Sequence, residues 1–220
     1  MSGSHFSDPQ AVARYAEGPF RIVPGLAGLH RMTTLLLAER APDDARVLVL
    51  GAGGGLELKV FAEAHGGWRF DGVDPSAEML RLAEATLGAH AARVTLHEGY
   101  IDAAPDGPFD AAACLLTFHF VPLDERRRTV AEIHRRLKPG APFVVAHLSF
   151  PQCEPERELW LSRYFAFSGV EDTKAARTAI DTQLTILDPA DDEAMLRDAG
   201  FSNVTQFYQG FAFRGWVGYA

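Results

Sequence analysis

Three glycines and one carboxylate are the residues of this 220-residue chain best placed to do chemistry. Gly51, Gly53 and Gly55 close an apolar run at residues 47–50, and Asp74 follows 23 positions after Gly51. Glycines at such a turn let the backbone take positive φ and let a ligand approach closely. A helix starting behind them offers unpaired N–H groups to a polar or anionic group. A carboxylate at this distance, on the end of the next strand, can accept both hydroxyls of a ribose. A dinucleotide fingerprint, G-x-G-x-x-G, would need its third glycine at position 56, which is Leu56. The spacing found is G-x-G-x-G, which argues against a nicotinamide oxidoreductase.

The elements that must hold these residues can be read around them. Residues 46–50 form a buried strand, 51–55 the turn, then a helix, then a strand over 69–73 that delivers Asp74: the entry to a βαβ unit. A helix over 75–87 follows, with Asp74 at a capping position and Pro75 in its first turn, so Asp74 also has a purely structural reading. Residues 93–98 alternate as a third strand leading to Gly99, Tyr100 and Ile101. Residues 108–116 read as a fourth strand buried on both faces. Its end, Leu115-Leu116-Thr117-Phe118-His119-Phe120, lies where open α/β sheets bind ligands. His119 is the candidate general base there, or else a histidine packed under the following helix.

That helix, 124–137, turns Val130, Ile133 and Leu137 inward, and its arginines (Arg126, Arg127, Arg128, Arg135, Arg136) read as a solvated outer face. A fifth strand spans 141–148. Residues 149–185 are the least regular and cluster Trp160, Tyr164, Phe165 and Phe167 with Arg157, Arg163 and Arg177. They make either an acceptor pocket or a helical pair packed on the first helices. A helix over 189–199 and a hairpin of 201–208 and 211–219, turning at Gln209-Gly210, close the chain. Ahead of the first strand, a short helix from Asp8-Pro9 carries Val12 and Tyr15, and a longer one over 25–40 carries Leu29, His30, Met32, Leu36 and Leu37.

Four segments in this order, LGAGGG, GVDPSAEML, FDAAACLLTFHF and LKPGAPFVVAHL, resemble the class I S-adenosylmethionine (SAM)-dependent methyltransferases. The resemblance covers residues 46–150 best. It implies an α/β, Rossmann-like, seven-stranded and mostly parallel sheet with helices on both faces and a C-terminal antiparallel hairpin. It implies one methyltransferase domain over 1–220: an N-terminal helical cap (1–42), a SAM-binding core (43–150), a substrate-side insertion (151–185), and a closing helix and hairpin (186–220). SAM is then the cofactor and S-adenosylhomocysteine the product. Gly51, Ala52, Gly53 and Gly55 would hold the methionine part and Asp74 with Pro75 the ribose. Met79, Gly99, Tyr100 and Ile101 would line the adenine, and Leu115 and Leu116 the reacting end. The family often has an acid at the position of Tyr100, and Asp102 is a nearby substitute. Tyr15, His30, Trp160, Tyr164 and Arg177 fall on the substrate side, facing a small-molecule acceptor.

A closer resemblance, through VPGLAGLHRMTTLLLAER, LLTFHFVPLDERRRTV and FYQGFAFRGWV, is to the carboxy-SAM synthases that serve tRNA wobble-uridine modification. It implies prephenate turnover and a cofactor carboxylate bound near Arg177. Leu26, Tyr100 and Leu115 stand where those enzymes have an aromatic residue, an acid and an asparagine. A protein that binds SAM without transferring anything is the third alternative.

Composition bounds the rest. A net charge of −8 argues against general nucleic-acid affinity. Cys114 and Cys153 have no paired spacing, so neither a disulfide framework nor a metal site is expected. With no signal-like start and no apolar run of membrane-spanning length, the cytoplasm is the expected location. A homodimer is compatible with the sequence.

Overall fold

The computed structural model describes residues 18–220. The short helix expected from Asp8, and Tyr15 with it, lies outside the described residues. Seven strands form one sheet in the order β3-β2-β1-β4-β5-β7-β6. The first five, β1 (Arg46–Leu50), β2 (Arg69–Asp74), β3 (Val94–Glu98), β4 (Ala111–Leu115) and β5 (Pro142–Leu148), run parallel. β7 (Phe213–Tyr219) lies antiparallel between β5 and β6 (Ser202–Gly210). This is the α/β architecture expected, with its mostly parallel sheet and C-terminal hairpin.

The apolar runs of β1, β4 and β5 are continuous because helices cover both faces of the sheet. Alternate residues of each strand serve different layers. Val47, Val49, Ala111, Ala113, Val144 and Ala146 share one core with Leu29 of α2 (Leu26–Ala38), Phe61 of α3 (Leu56–Ala64) and Leu87 of α4 (Ala77–Leu87). The short α1 (Gly18–Ile22) packs at the edge of that layer. Leu48, Ala112, Cys114, Phe143 and Val145 share the other with Val130 and Ile133 of α5 (Leu123–Arg136). α6 (Glu156–Ser168) and α7 (Thr173–Gln183) join the first layer, and α8 (Pro189–Asp198) the second. The chain moves outward from β1 to β3, then returns to place β4 on the other side of β1. At that reversal the connections diverge and leave a crevice at the strands' carboxyl ends.

Three expectations are corrected, and the helical alternative for residues 149–185 is the one found. α4 starts at Ala77, not Pro75, and its cap is Ser76, whose Oγ accepts the Met79 N–H at 3.2 Å. Asp74 is not the cap because its carboxylate is committed elsewhere. Arg126 and Arg136 are buried, at 0% and 4% exposure, rather than on the outer face of α5. The hairpin turns at Phe211-Ala212, since Gly210 pairs with Phe213; Phe211 takes the positive φ, 47°. Residues 149–185 are mostly two helices, α6 and α7, bridged by Arg157–Asp181 and Arg177–Glu158 ion pairs. Among the described residues no helix is long and apolar enough to cross a membrane.

Candidate functional site

The glycine turn is fixed from three sides. Gly51 has φ 73°, and a Cβ there would sit 1.9 Å from Thr117 Oγ1, so the turn after β1 packs directly on the loop after β4. Only glycine fits both the conformation and the space. The N–H groups of Gly51 and Ala52 donate to the Val73 carbonyl at 2.8 and 3.0 Å, tying the turn to the end of β2. Gly55, also at positive φ, starts α3.

Asp74 is the hub of the crevice. Its Oδ2 accepts the Gly53 N–H at 3.0 Å, its Oδ1 the Ser76 N–H at 2.9 Å, and its backbone carbonyl the Gly99 N–H at 3.0 Å. One residue therefore holds the loops after β1, β2 and β3 in register. Burial raises its carboxyl above the usual range, and the two N–H bonds oppose that rise. Each carboxylate oxygen keeps acceptor capacity beyond its backbone bond.

Beside it, Met79 is buried while Pro75 and Tyr100 are exposed, Tyr100 at 67%. Tyr100 and Ile101 spend their carbonyls on the next turn, accepting from Ala103 and Ala104. Ile101 packs into the second core. Asp102 is engaged by Arg128 through two parallel bonds of 2.9 Å. That bidentate pair turns the carboxylate toward α5.

At the end of β4, Leu115 is buried and Leu116 has φ 57°. A bulky residue in the left-handed region is strained, and such strain concentrates where loops are shaped for ligands. His119 is buried, and its Nδ1 accepts the Leu148 N–H at 3.4 Å. Burial, with His147 and Arg126 nearby, holds its imidazole well below the usual range. It is neutral near pH 7, and because Nδ1 accepts that bond the ring proton is carried by Nε2, which is a donor.

The remaining expected residues divide. His30 is buried in α2, its pKa pushed down to about 4 by burial. The guanidinium groups of Arg163 and Arg214 lie over the Trp160 ring, at 4.6 and 4.8 Å from its centroid. Tyr164 meets Phe213 edge-on at 5.8 Å. Arg177 is held by Glu158 at 2.7 Å. Gly51, Ala52, Gly53, Asp74, Gly99 and the end of β4 are brought together; Arg177 is turned toward α6 instead.

Sequence reasoning missed two groups. Glu57, in the first turn of α3, is buried, and its pKa is raised to about 8 by burial, against its own backbone N–H and with a further push from Asp74. Its place four residues before Phe61 put it on the buried stripe of the helix. Arg126, four before Val130, carried the same signal. Its Nη1 lies 3.2 Å from Asp192 Oδ1, and Nη2 donates to the carbonyls of Val121 and Thr185. His147 Nε2 is 3.1 Å from the same Asp192 oxygen. Burial works to raise the Asp192 carboxyl, but the neighbouring His147 and Arg126, with a Ser149 hydrogen bond, leave it lowered.

Residues 47–140 match a family model described as a methyltransferase domain. The chain is 27% identical to the carboxy-S-adenosyl-L-methionine synthase of Chromohalobacter salexigens, across 96% of this chain and 82% of that protein. An O-methyltransferase family protein from Burkholderia thailandensis has a similar fold, with TM-score 0.73 at 16% identity over 100% of this chain. So does human N-acetylserotonin methyltransferase in complex with SAM, at TM-score 0.67 and 14% identity over 99% of this chain. The chain spans about three fifths of each of those two structures, 62% and 58%.

Proposed function

We propose that this chain, which belongs to the class I SAM-dependent methyltransferases, transfers a methyl group from SAM to a small-molecule acceptor. The observation that carries the reading is the Asp74 cradle: one carboxylate bonded to the Gly53 N–H of the glycine turn, at the reversal of strand order. The residues present fit the cofactor. Asp74 can accept the ribose hydroxyls, Met79 and the open Tyr100 ring suit adenine, and Leu115 and Leu116 wall the reacting end.

SAM when bound supplies an electrophilic methyl on a positively charged sulfur. The chain's task is then alignment and exclusion of water. Fixing two reactants in line can contribute roughly 7–11 kcal/mol at best. Gly51 and Thr117, in contact across the crevice, set one side of that alignment, and the strained Leu116 another. His119 keeps its basic Nδ1 on the Leu148 N–H, so toward an acceptor it would offer its Nε2 proton as a hydrogen-bond donor rather than act as a base. Trp160, with Arg163 and Arg214 over its ring, suits a planar or anionic acceptor.

Calorimetric titration with S-adenosylhomocysteine and SAM tests the reading directly. Binding by the wild-type chain and its loss in Asp74→Ala are expected; unchanged affinity in the variant would sink the ribose assignment. Release of S-adenosylhomocysteine in the presence of a panel of acceptors then identifies the acceptor.

The end-to-end similarity to a carboxy-SAM synthase supports a second reading. Arg177 would have to leave Glu158 to reach a cofactor carboxylate. Native mass spectrometry separates the two: a co-purified mass exceeding SAM by one carboxylate, together with prephenate turnover, would replace the first reading by the second.

A further inference from the structure

Glu57 is an acid out of place. It sits in the first turn of α3, two residues after Gly55, and is 8% exposed. Among the described residues it has no ion pair and no hydrogen bond from another side chain. Its own backbone N–H, at the start of the helix that follows the glycine turn, eases its ionisation only in part. The groups around it offer no compensation. β2 brings the Asp74 carboxylate and β4 the Cys114 thiol, whose charges oppose its ionisation or are opposed by it. α4 and α2 both pack against α3, and the residues they bury, among them Met79, Leu80 and Ala83 of α4 and Thr33, Thr34 and a neutral His30 of α2, include no group charged near pH 7. A buried carboxylate without a partner is costly, and either keeps its proton or meets a cation.

We infer that Glu57 is the counter-charge for the α-ammonium group at the methionine end of the cofactor, ionising when that group arrives. The inference rests on the SAM reading above and deepens it. Two acids then frame the glycine turn with separate tasks: Asp74 takes neutral hydroxyls, and Glu57 takes a cation. The proton balance is simple. Near pH 7 the free protein holds a proton on Glu57, consistent with its raised pKa of about 8. Binding of the ammonium form releases that proton to solvent and leaves a carboxylate–ammonium pair. No base, metal or further reactant is needed.

The test uses two ligands that share the nucleoside and differ at the methionine end. S-adenosylhomocysteine carries the ammonium; 5′-methylthioadenosine does not. Calorimetry at pH 7 in two buffers of different ionisation enthalpy should show close to one proton released on binding the first and none on binding the second. In Glu57→Gln the first ligand should weaken by about tenfold or more, with no proton release, while the second stays within about twofold. In the wild type, affinity for S-adenosylhomocysteine alone should rise with pH, approaching tenfold per unit, and level off above about pH 8. Equal weakening of both ligands by Glu57→Gln would mark a structural role and overturn the inference, as would an unchanged proton count. A wild-type chain that binds neither ligand would instead overturn the SAM reading beneath it.

Discussion

At the scale of single residues, the crevice is an arrangement of carboxylates held at a cost. Asp74 does two things at once, bonding two backbone N–H groups and presenting the lone pairs left over. Asp74→Ala orphans the Gly53 and Ser76 N–H groups, a loss of about 1–3 kcal/mol for each group left buried and unpaired. Asp74→Asn keeps one acceptor oxygen. It should therefore lose less stability than the alanine variant, seen in thermal unfolding, yet bind S-adenosylhomocysteine at least about tenfold more weakly than wild type, since a hydrogen bond to a charged acceptor is worth about 1.5–3 kcal/mol. Equal binding by the asparagine variant would mean that the carboxylate's charge is not used.

Glu57 makes an opposite prediction. Between its ordinary pKa of 4.5 and its folded value of about 8, the residue is protonated in the folded chain and ionised in the unfolded one. The unfolded state then binds fewer protons, so this group's contribution to stability falls as pH rises through that window. His30, shifted down to about 4, acts the other way below 6.5, which is why a difference between two proteins is the quantity to measure. The Tm of cofactor-free Glu57→Gln minus that of wild type should grow from pH 5 to pH 8, by several degrees if about 2 kcal/mol is recovered. A flat difference would mean that Glu57 is ionised throughout. Stability gained by removing a functional acid is the expected trade.

At the scale of elements, the buried Arg126 joins pieces that the sheet does not. From α5 it reaches the carbonyls of Val121 and Thr185 and the Asp192 carboxylate of α8, while the Thr185 N–H donates to the His119 carbonyl at 2.8 Å. It thus ties the loop after β4 to the segment between α7 and α8. Arg126→Met should cost about 3–5 kcal/mol in denaturant unfolding, because it leaves the Asp192 carboxylate buried without its guanidinium partner. Adding Asp192→Leu should recover much of the loss. If the double variant is no more stable than the single one, the ion pair is not what Arg126 supplies. The same residue marks where the sequence was legible and where it was not. Continuous apolar runs and the reversal implied by the motif order gave the sheet, and the glycine spacing with Asp74 gave the cradle. Arginines on a charged helix read as solvated because charge is counted along the chain, whereas burial follows the angular position around it; Arg126 and Glu57 both sit in register with apolar neighbours. The cap at Ser76 was hidden for another reason. Asp74 and Ser76 are both capping residues by type, and only the Gly53 N–H, distant in sequence, decides between them. The hairpin turn likewise depended on which residues pair across β6 and β7.

At the scale of the molecule, the loops that build the crevice follow β1, β2, β3 and β4, four strands of one sheet; backbone bonds between Gly51 and Val73 and between Asp74 and Gly99 lock the first three, and the Leu116 N–H, bonded to the Ala146 carbonyl, ties the fourth to β5. The wall proposed for the acceptor side would be drawn from elements far apart in the chain, with Trp160 of α6 against Arg214 of β7 and Tyr164 against Phe213. A ligand seated there touches loops that belong to the central sheet, so its binding energy enters the global unfolding equilibrium. With S-adenosylhomocysteine at 100 times its Kd, stabilisation should be about 2.7 kcal/mol. For a chain of this length that is a rise in Tm of about 5–11 °C. The shift should keep rising with the logarithm of ligand concentration, vanish in Asp74→Ala, and be absent with NAD, whose fingerprint fails at Leu56. A rise with NAD and none with S-adenosylhomocysteine would reverse the assignment at its root, because it would mean that the glycine turn cradles a pyrophosphate rather than the methionine end of a sulfonium nucleoside.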